Sequence, residues 1–325
     1  MTGEFDLIAL IRARCTVART DVGLGIGDDG ALLIPPPGQE LVVTTDTLVA
    51  GMHFPLTTRA EDIGWKALAV NLSDLAAMGA SPAWASLAMT LPEGSVDFVA
   101  RFADGFAELA VQHQVALIGG DTTKGAPTIT ITAQGFVPPG QALWRDGARA
   151  GEQVFVTGTL GDAAAGLRCL MAPGADAEHA DPAHRAQLLQ RLNRPQPRVA
   201  AGIALRGLAS ACIDVSDGLL ADLGHIARAS GVGIELDATN LPTSSALRAL
   251  FDPATRLAMQ LGGGDDYELA FCVPADRIEA MQQAMHDIGC AVTCVGGVVE
   301  ASGVRVLDEQ GLEINTAHRG WEHFS

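Results

Sequence analysis

Residues 211–226 read ACIDVSDGLLADLGHI: an apolar run over Ala211–Ile213, two aspartates set among small residues, and then a helical pattern over Leu219–Ala229. A strand that closes on Asp214 and passes through Ser216, Asp217 and Gly218 into a helix is a building block of a mixed α/β fold. Working outward, the same alternation recurs. In the first half, apolar runs at Leu41–Val43, Ala85–Leu91, Ala116–Ile118 and Ile129–Ala133 predict strands, separated by helical patterns at Ala60–Met78 and Val96–Gln112. The second half predicts strands at Gln153–Thr157, Ala270–Val273, Val292–Val295 and Val304–Leu307, with helices at Ala163–Met171 and Asp276–Ile288. Between them Ala172–His184 reads as a solvated loop and helix start. Pro138, Pro139 and Gly140, followed by Gly147 and Gly151, punctuate the chain. The expected organisation is two α/β domains, 1–138 and 139–325, each a mixed sheet packed with helices in α+β fashion.

At 325 residues the chain has length for about two domains with real cores. Its net charge of −17 argues against a nucleic-acid surface or an anionic membrane as partner. A long uncharged stretch, Leu75–Pro92, is broken by Gly79, Ser81 and Pro82, so it reads as buried core and not as a membrane span. Glu4 and Asp6 interrupt what an export signal would need as a basic region. Six cysteines in so long a chain make no disulfide framework, and a reducing cytoplasm is the expected location.

Aspartates recur where apolar runs give way to small residues: Asp46 after Leu41–Thr45, Asp121 after Ala116–Gly120, and Asp214 with Asp217. The Gly25–Asp29 turn adds Asp28 and Asp29, while Thr44, Thr45, Thr122, Thr123 and Ser216 supply hydroxyls. Asp74 falls on one helical stripe with Ala67, Asn71 and Met78, so it faces inward, towards a structural network or a metal. Hard oxygen donors of this kind suit Mg²⁺ shared with substrate phosphates, whereas zinc prefers paired His and Cys. Taken singly, each aspartate equally suits a cap or a turn. Thr157–Asp162 joins a strand to a helix and is a second candidate anion loop, with a capped tight turn as the alternative. Arg145, near the domain boundary, offers a planar fork that could clamp a phosphate. No P-loop, dinucleotide fingerprint, H-E-x-x-H pair or nucleophile elbow occurs, which leaves magnesium-dependent phosphate chemistry.

Six ordered blocks, Gly25–Asp29 (GIGDD), Thr44–Phe54 (TTDTLVAGMHF), Lys66–Ala80 (KALAVNLSDLAAMGA), Gly119–Thr123 (GGDTT), Ile213–Ile226 and Gly262–Leu269 (GGGDDYEL), resemble the thiamine-monophosphate kinase family, within the superfamily of aminoimidazole-ribonucleotide synthetase. The resemblance spans nearly the whole chain. It implies direct transfer of the γ-phosphate of ATP to thiamine monophosphate with several Mg²⁺ ions, in a cytoplasmic homodimer with the N-terminal domain at the dimer interface. It also implies metal ligands at Asp29, Thr44, Thr45, Asp46, Asp74, Asp121, Asp214 and Asp217. Nucleotide contacts would fall on Gly120, Asp121, Arg145 and Ser216, and substrate contacts on His53, Asp265 and Trp321. Asp46, Asp121, Asp214 and Arg145 would then carry the chemistry. Where Asp265 stands the family usually has glutamate, so this carboxylate is one methylene shorter.

Alternatives are a selenophosphate- or hydrogenase-maturation-type synthetase of the same superfamily, or a non-catalytic nucleotide- or metal-binding module. The first expects a cysteine in an N-terminal glycine-rich loop, whereas Cys15 lies in Arg14–Val17; the second expects a terminal cysteine, where this sequence reads Glu322–Ser325. A silent module would have lost ligands, and every expected aspartate is present.

Overall fold

The computed structural model describes residues 3–171 and 181–315. These divide into two compact units, one of Met1–Leu75 with Ala80–Gly140, the other of Ala76–Gly79 with Gln141–Ser325.

The first unit opens with helix α1 (Glu4–Arg14) and a short antiparallel pair, β1 (Val22–Leu24) and β2 (Leu32–Leu33). Strand β3 (Glu40–Val49), helix α2 (Ala60–Ala77), strand β4 (Ser81–Leu91), helix α3 (Val96–Gln112), and strands β5 (Ala116–Lys124) and β6 (Thr128–Val137) follow. The four long strands form one sheet in the order β3-β6-β4-β5. Only β4 and β5 are parallel, as expected of strands joined by a helical crossover. Leu68, Leu72 and Leu75 of α2 and Phe102, Phe106 and Leu109 of α3 are fully buried, as are Met89 and Ile131 of the sheet. The two helices touch backbone to backbone. A methyl group on Gly105 would sit 1.8 Å from the carbonyl oxygen of Glu61, and one on Gly64 would sit 2.0 Å from that of Phe102.

Two strands run further than their apolar runs suggest. Asp46 and Asp121 stand inside β3 and β5, not at strand ends as expected from the sequence. The reason is that threonine is β-branched and strand-forming, so the polar-apolar alternation over Thr44–Val49 prolongs β3 beyond its apolar start. On β3 the side chains at Leu41, Val43, Thr45, Thr47 and Val49 are exposed, whereas those at Val42, Thr44, Asp46 and Leu48 are more covered.

The second unit is a six-stranded sheet in the order β12-β9-β11-β7-β10-β8, antiparallel except for the β12–β9 pair. Its strands are β7 (Gln153–Thr157), β8 (Ala211–Asp214), β9 (Gly233–Asp237), β10 (Leu269–Val273), β11 (Val292–Val299) and β12 (Gly303–Leu307). Its described helices are α4 (Asp162–Met171), α5 (Pro182–Asn193), α6 (Val199–Ala204), α7 (Leu219–Ser230), α8 (Ser245–Leu250), α9 (Pro253–Gly262) and α10 (Ile278–Asp287). Leu219, Leu223 and Ile226 of α7 share a core with Val154, Val156, Ile213, Ile234 and Leu236 of the sheet. Ala165, Cys169, Leu188, Leu247 and Met259 form a second core beneath α4, α5, α8 and α9. Asp181 caps α5, whose first residue is proline, as helix starts favour. The pattern over Asp276–Ile288 resolves into a 3₁₀ turn, Ala275–Arg277, followed by α10. No described helix is long and apolar enough to cross a membrane.

Because Gly105 meets backbone, a side chain there can be accommodated only by pushing the two helices apart. Gly105→Ala is expected to destabilise the protein by about 3 kcal/mol, read as a lowered midpoint in urea unfolding; an unchanged midpoint would show that the helix contact yields freely.

Candidate active site

In the first unit, a cavity of about 670 Å³ is walled on one side by Phe5, Ile8 and Ile11 of α1. Its other walls are the Ile26–Ala31 turn, Ser86 and Leu87 of β4, and Leu117–Thr122 of β5. Asp29, Gly120 and Asp121 are therefore brought together, and Asp28 joins them. Gly120 is required by the close approach of the strands: its φ is +151°, and a side chain would collide with the carbonyl oxygen of Leu87 at 1.8 Å. Arg12, which the sequence reading did not single out, lies against Gly27, its Nη1 2.9 Å from where a side-chain carbon would begin.

A second cluster lies between β3 and α2. Thr44 donates from its hydroxyl to the Asp74 carboxylate, and Asp46 is on the same face of β3 as Thr44. Asp74 is partly covered, as its stripe position predicts, and Asn71 beside it is fully buried. Thr45 is not brought to this cluster. Alternation turns it to the other face, where its hydroxyl bonds that of Thr132 at 2.9 Å. His53 sits in the loop after β3, and its Nδ1 accepts from the Val49 N–H at 2.9 Å.

In the second unit two loops are laced together. Asp265 N–H donates to the Ser216 carbonyl, Tyr267 N–H to that of Val215, and Val215 N–H to that of Glu268, each at 2.8 Å. This gathers Asp214, Ser216, Asp217 and Asp265 in one neighbourhood. Asp265 and Tyr267 have φ of +68° and +51°, a left-handed backbone that costs non-glycine residues energy and needs surrounding bonds to hold it. The Tyr267 hydroxyl and Asp265 Oδ1 are hydrogen-bonded at 3.0 Å. Next to them the fully buried Glu268 accepts from Arg198 Nε and Nη2 at 2.6 Å each, from Arg191 at 2.7 Å and from the Thr157 hydroxyl at 2.6 Å. Arg145 is exposed, and His225 on α7 feels both Arg145 and Asp217. Burial first, then Arg228 and Arg145, hold the His225 imidazole below its usual range, with Asp217 opposing them. Trp321 lies outside the described residues.

The Thr157–Asp162 loop, expected as an anion site, is already filled from within. Gly161 N–H donates to Asp266 Oδ2 at 2.7 Å and Ala163 N–H to Oδ1 at 3.4 Å. Gly158 and Leu160 N–H groups go to the carbonyls of Ala291 and Pro242. Asp162 is itself buried, accepting from the hydroxyls of Thr159 and Ser244. Asp266, Glu268, Asp222 and His225 are the residues that sequence reasoning missed. Asp222 alone carried a signal, as an acid in the first turn of a helix.

Among the described residues no three His, Cys, Asp or Glu side chains stand close enough to cage a metal. The donors nevertheless fit Mg²⁺ by chemistry, since that ion is commonly held by one or two carboxylates, water and substrate phosphates. Asp29 and Asp121 in the cavity, and Asp74 with Thr44 and Asp46, are hard oxygens of that kind.

The models of AIR synthase related proteins match here in both parts, the N-terminal domain over residues 27–137 and the C-terminal domain over 149–309. Two mixed sheets packed with helices and carboxylate-bearing loops thus define the chain as an AIR synthase related protein. It is 46% identical to the thiamine-monophosphate kinase of Salmonella typhimurium over 99% of this chain and 98% of that one. The crystal structure of thiamine-monophosphate kinase from Stenotrophomonas maltophilia superposes with a TM-score of 0.87 at 52% identity, covering 94% of this chain and 96% of that one. A structure described as AaThiL complexed with AMPPCP and TMP superposes with a TM-score of 0.78 at 35% identity, covering 99% and 97%. The chain belongs to the thiamine-monophosphate kinase family.

Burial, reinforced by Asp162, pushes the Asp266 carboxyl from 3.8 up to about 8, against its two N–H donors and Arg191. A folded value above the unfolded one means that folding takes up a proton. The contribution is complete below pH 4 and is lost as pH rises through about 8. Asp266→Asn, neutral throughout, should flatten the fall of the unfolding midpoint between pH 4 and 8; parallel wild-type and variant curves would refute this assignment.

Proposed function

We propose that the protein transfers the γ-phosphate of ATP to thiamine monophosphate, giving thiamine diphosphate and ADP, as a Mg²⁺-dependent step in thiamine diphosphate biosynthesis. The observation that carries this reading is the cavity of the first unit, apolar along α1 and lined by Asp29, Gly120 and Asp121 at its other walls. Such a cavity suits a ligand with a flat apolar end and a polyanionic end. The kinase relatives and the complex with AMPPCP, an ATP analogue, support the same reading.

The acceptor needs no dedicated base. A phosphate monoester has its second pKa near 6, so at neutral pH its oxygen is already a nucleophile. The residues therefore have to position two polyanions in line and offset their repulsion. Bound Mg²⁺ supplies that neutralisation and withdraws charge from the transferring phosphoryl group. Asp29, Asp46, Asp74, Asp121, Asp214 and Asp217, with the Thr44 hydroxyl, would hold it. Gly120, Ser216 and Arg145 would orient the nucleotide. His53, Asp265 and Trp321 would bind the cationic, aromatic acceptor.

A homodimer is supported by the exposed face of β3, where Leu41, Val43 and Val49 stand uncovered around Thr45 and Thr47. A cytoplasmic setting agrees with six free cysteines, four of them buried. Cys15 is no candidate for the reactive thiol of a selenophosphate-type enzyme, because burial pushes it up to about 12 and it donates to the Ala103 carbonyl.

ADP release, followed in a coupled assay with thiamine monophosphate and thiamine in parallel, tests the reading. The monophosphate should be turned over, and EDTA should abolish turnover; equal rates with thiamine, or full activity in EDTA, would overturn it. Asp121→Asn should lower kcat by about 100-fold with an unchanged unfolding midpoint.

An indole face attracts a thiazolium cation by roughly 0.5–2 kcal/mol. Trp321→Ala is therefore expected to raise the KM for thiamine monophosphate several-fold while leaving that for ATP in place. Equal rises in both constants would remove Trp321 from the site.

A further inference from the structure

One buried carboxylate of the second unit has no part in the chemistry above. Asp222, on the first turn of α7, is 3% exposed. Its Oδ2 accepts from three consecutive backbone N–H groups, those of Ser216 at 3.0 Å, Asp217 at 3.1 Å and Gly218 at 3.1 Å. A run of N–H groups converging at a helix start is the arrangement that elsewhere binds phosphate. Here the chain occupies it with its own oxygen. The consequence is that the main-chain donors of this loop face inward, and Ser216 and Asp217 remain partly exposed between the buried Val215 and Gly218.

The rest of the loop is tied to the segment after Gly264. The Val215 N–H goes to the Glu268 carbonyl, and the carbonyls of Val215 and Ser216 accept from Tyr267 and Asp265. From Ser216 to Gly218, however, every N–H ends on the single oxygen of Asp222. Removing that oxygen would strand three donors at once, and a buried donor left unpaired bears its full desolvation cost. The loop would then have to rearrange, carrying Ser216 and Asp217 with it.

We propose that Asp222 is the positioning residue of the site, fixing the backbone of Ser216 and Asp217 so that the two side chains meet nucleotide and metal in register; this rests on the reading in which those two residues do so. Asp222 touches neither ligand and acts through the loop alone.

The test compares Asp222→Ala and Asp222→Asn with the wild-type protein, well below each unfolding midpoint. Mn²⁺ binding in the presence of AMPPCP is read by electron paramagnetic resonance, and amide exchange is read at residues 216–218. Asp222→Ala should weaken Mn²⁺ binding about tenfold or more and speed exchange at the three amides. Asp222→Asn retains an acceptor oxygen and should restore most of both. If the alanine variant does not fold, Asp222→Ser takes its place with the same expectation, its hydroxyl being too short to span three donors. A loosened loop with wild-type Mn²⁺ affinity, or lost affinity with unchanged exchange, overturns the proposal. Asp217→Asn separates this failure from that of the functional reading: if Asp217→Asn binds Mn²⁺ with AMPPCP as wild type does, the metal assignment fails and the role of Asp222 fails with it. If Asp217→Asn binds weakly and Asp222→Ala binds normally, only the role of Asp222 falls.

Discussion

Buried backbone donors at two strand-to-helix turns have to find acceptors, and in the second unit buried carboxylates provide them. Asp266 serves the N–H groups of Gly161 and Ala163, and Asp222 serves those of Ser216, Asp217 and Gly218. An unpaired donor costs its full desolvation, so one carboxyl group that accepts from two or three of them holds the whole turn in place. Both turns are thereby fixed before any ligand arrives, but with different results. The turn at Gly161 is closed to an outside anion. The turn at Ser216 also satisfies its N–H groups internally, yet it leaves a hydroxyl and a carboxylate partly exposed.

The loop that carries Asp265 and Tyr267 is held by a related device. Two left-handed non-glycine residues in three positions are a local conflict, and isolated chain would relax out of it. Glu268, immediately after them, is pinned by two arginines and a threonine that come from α5, the segment before α6, and β7. A buried ionic cluster of this sort contributes little net stability compared with an apolar core, but breaking it is costly. It ties the segment that carries Asp265 to α5, to the chain before α6 and to β7.

What was legible in the sequence followed from what is local. Alternation and helical periodicity located α2, α3, α4 and α7 and all or part of β3 to β8 and β10 to β12 because those signals lie within a few residues of one another. The Asp74 stripe was readable for the same reason. The long reach of β3 past Asp46 was missed because an apolar criterion undervalues threonine. Asp266 was invisible because its partners, Gly161 and Ala163, lie more than a hundred positions away, and nothing local marks a carboxylate as internal. The glycines at 64 and 105 look like weak points in helices until the opposing backbone is in place. In the site, sequence gave the chemical type of the donors, and only the fold sorted them into a cavity group, a β3–α2 group and a loop group, setting the Thr45 side chain apart.

That sorting bears on how a site made of acids can hold a polyanion. With a net charge of −17 and Asp28, Asp29 and Asp121 on one cavity, the bare protein repels ATP. Among the described residues no three His, Cys, Asp or Glu side chains form a cage, whereas Mg²⁺ needs only one or two carboxylates beside water and phosphate. On the proposed reading, phosphate oxygens would complete the coordination and the cation would remove the repulsion that keeps the phosphates out. Each would then raise the affinity of the other, and by linkage by the same factor. Dispersed carboxylates of this kind, unlike a preassembled cage, would make metal and nucleotide binding one coupled event, and such coupling asks that their positions be fixed beforehand, as the three bonds to Asp222 fix the backbone of Asp217.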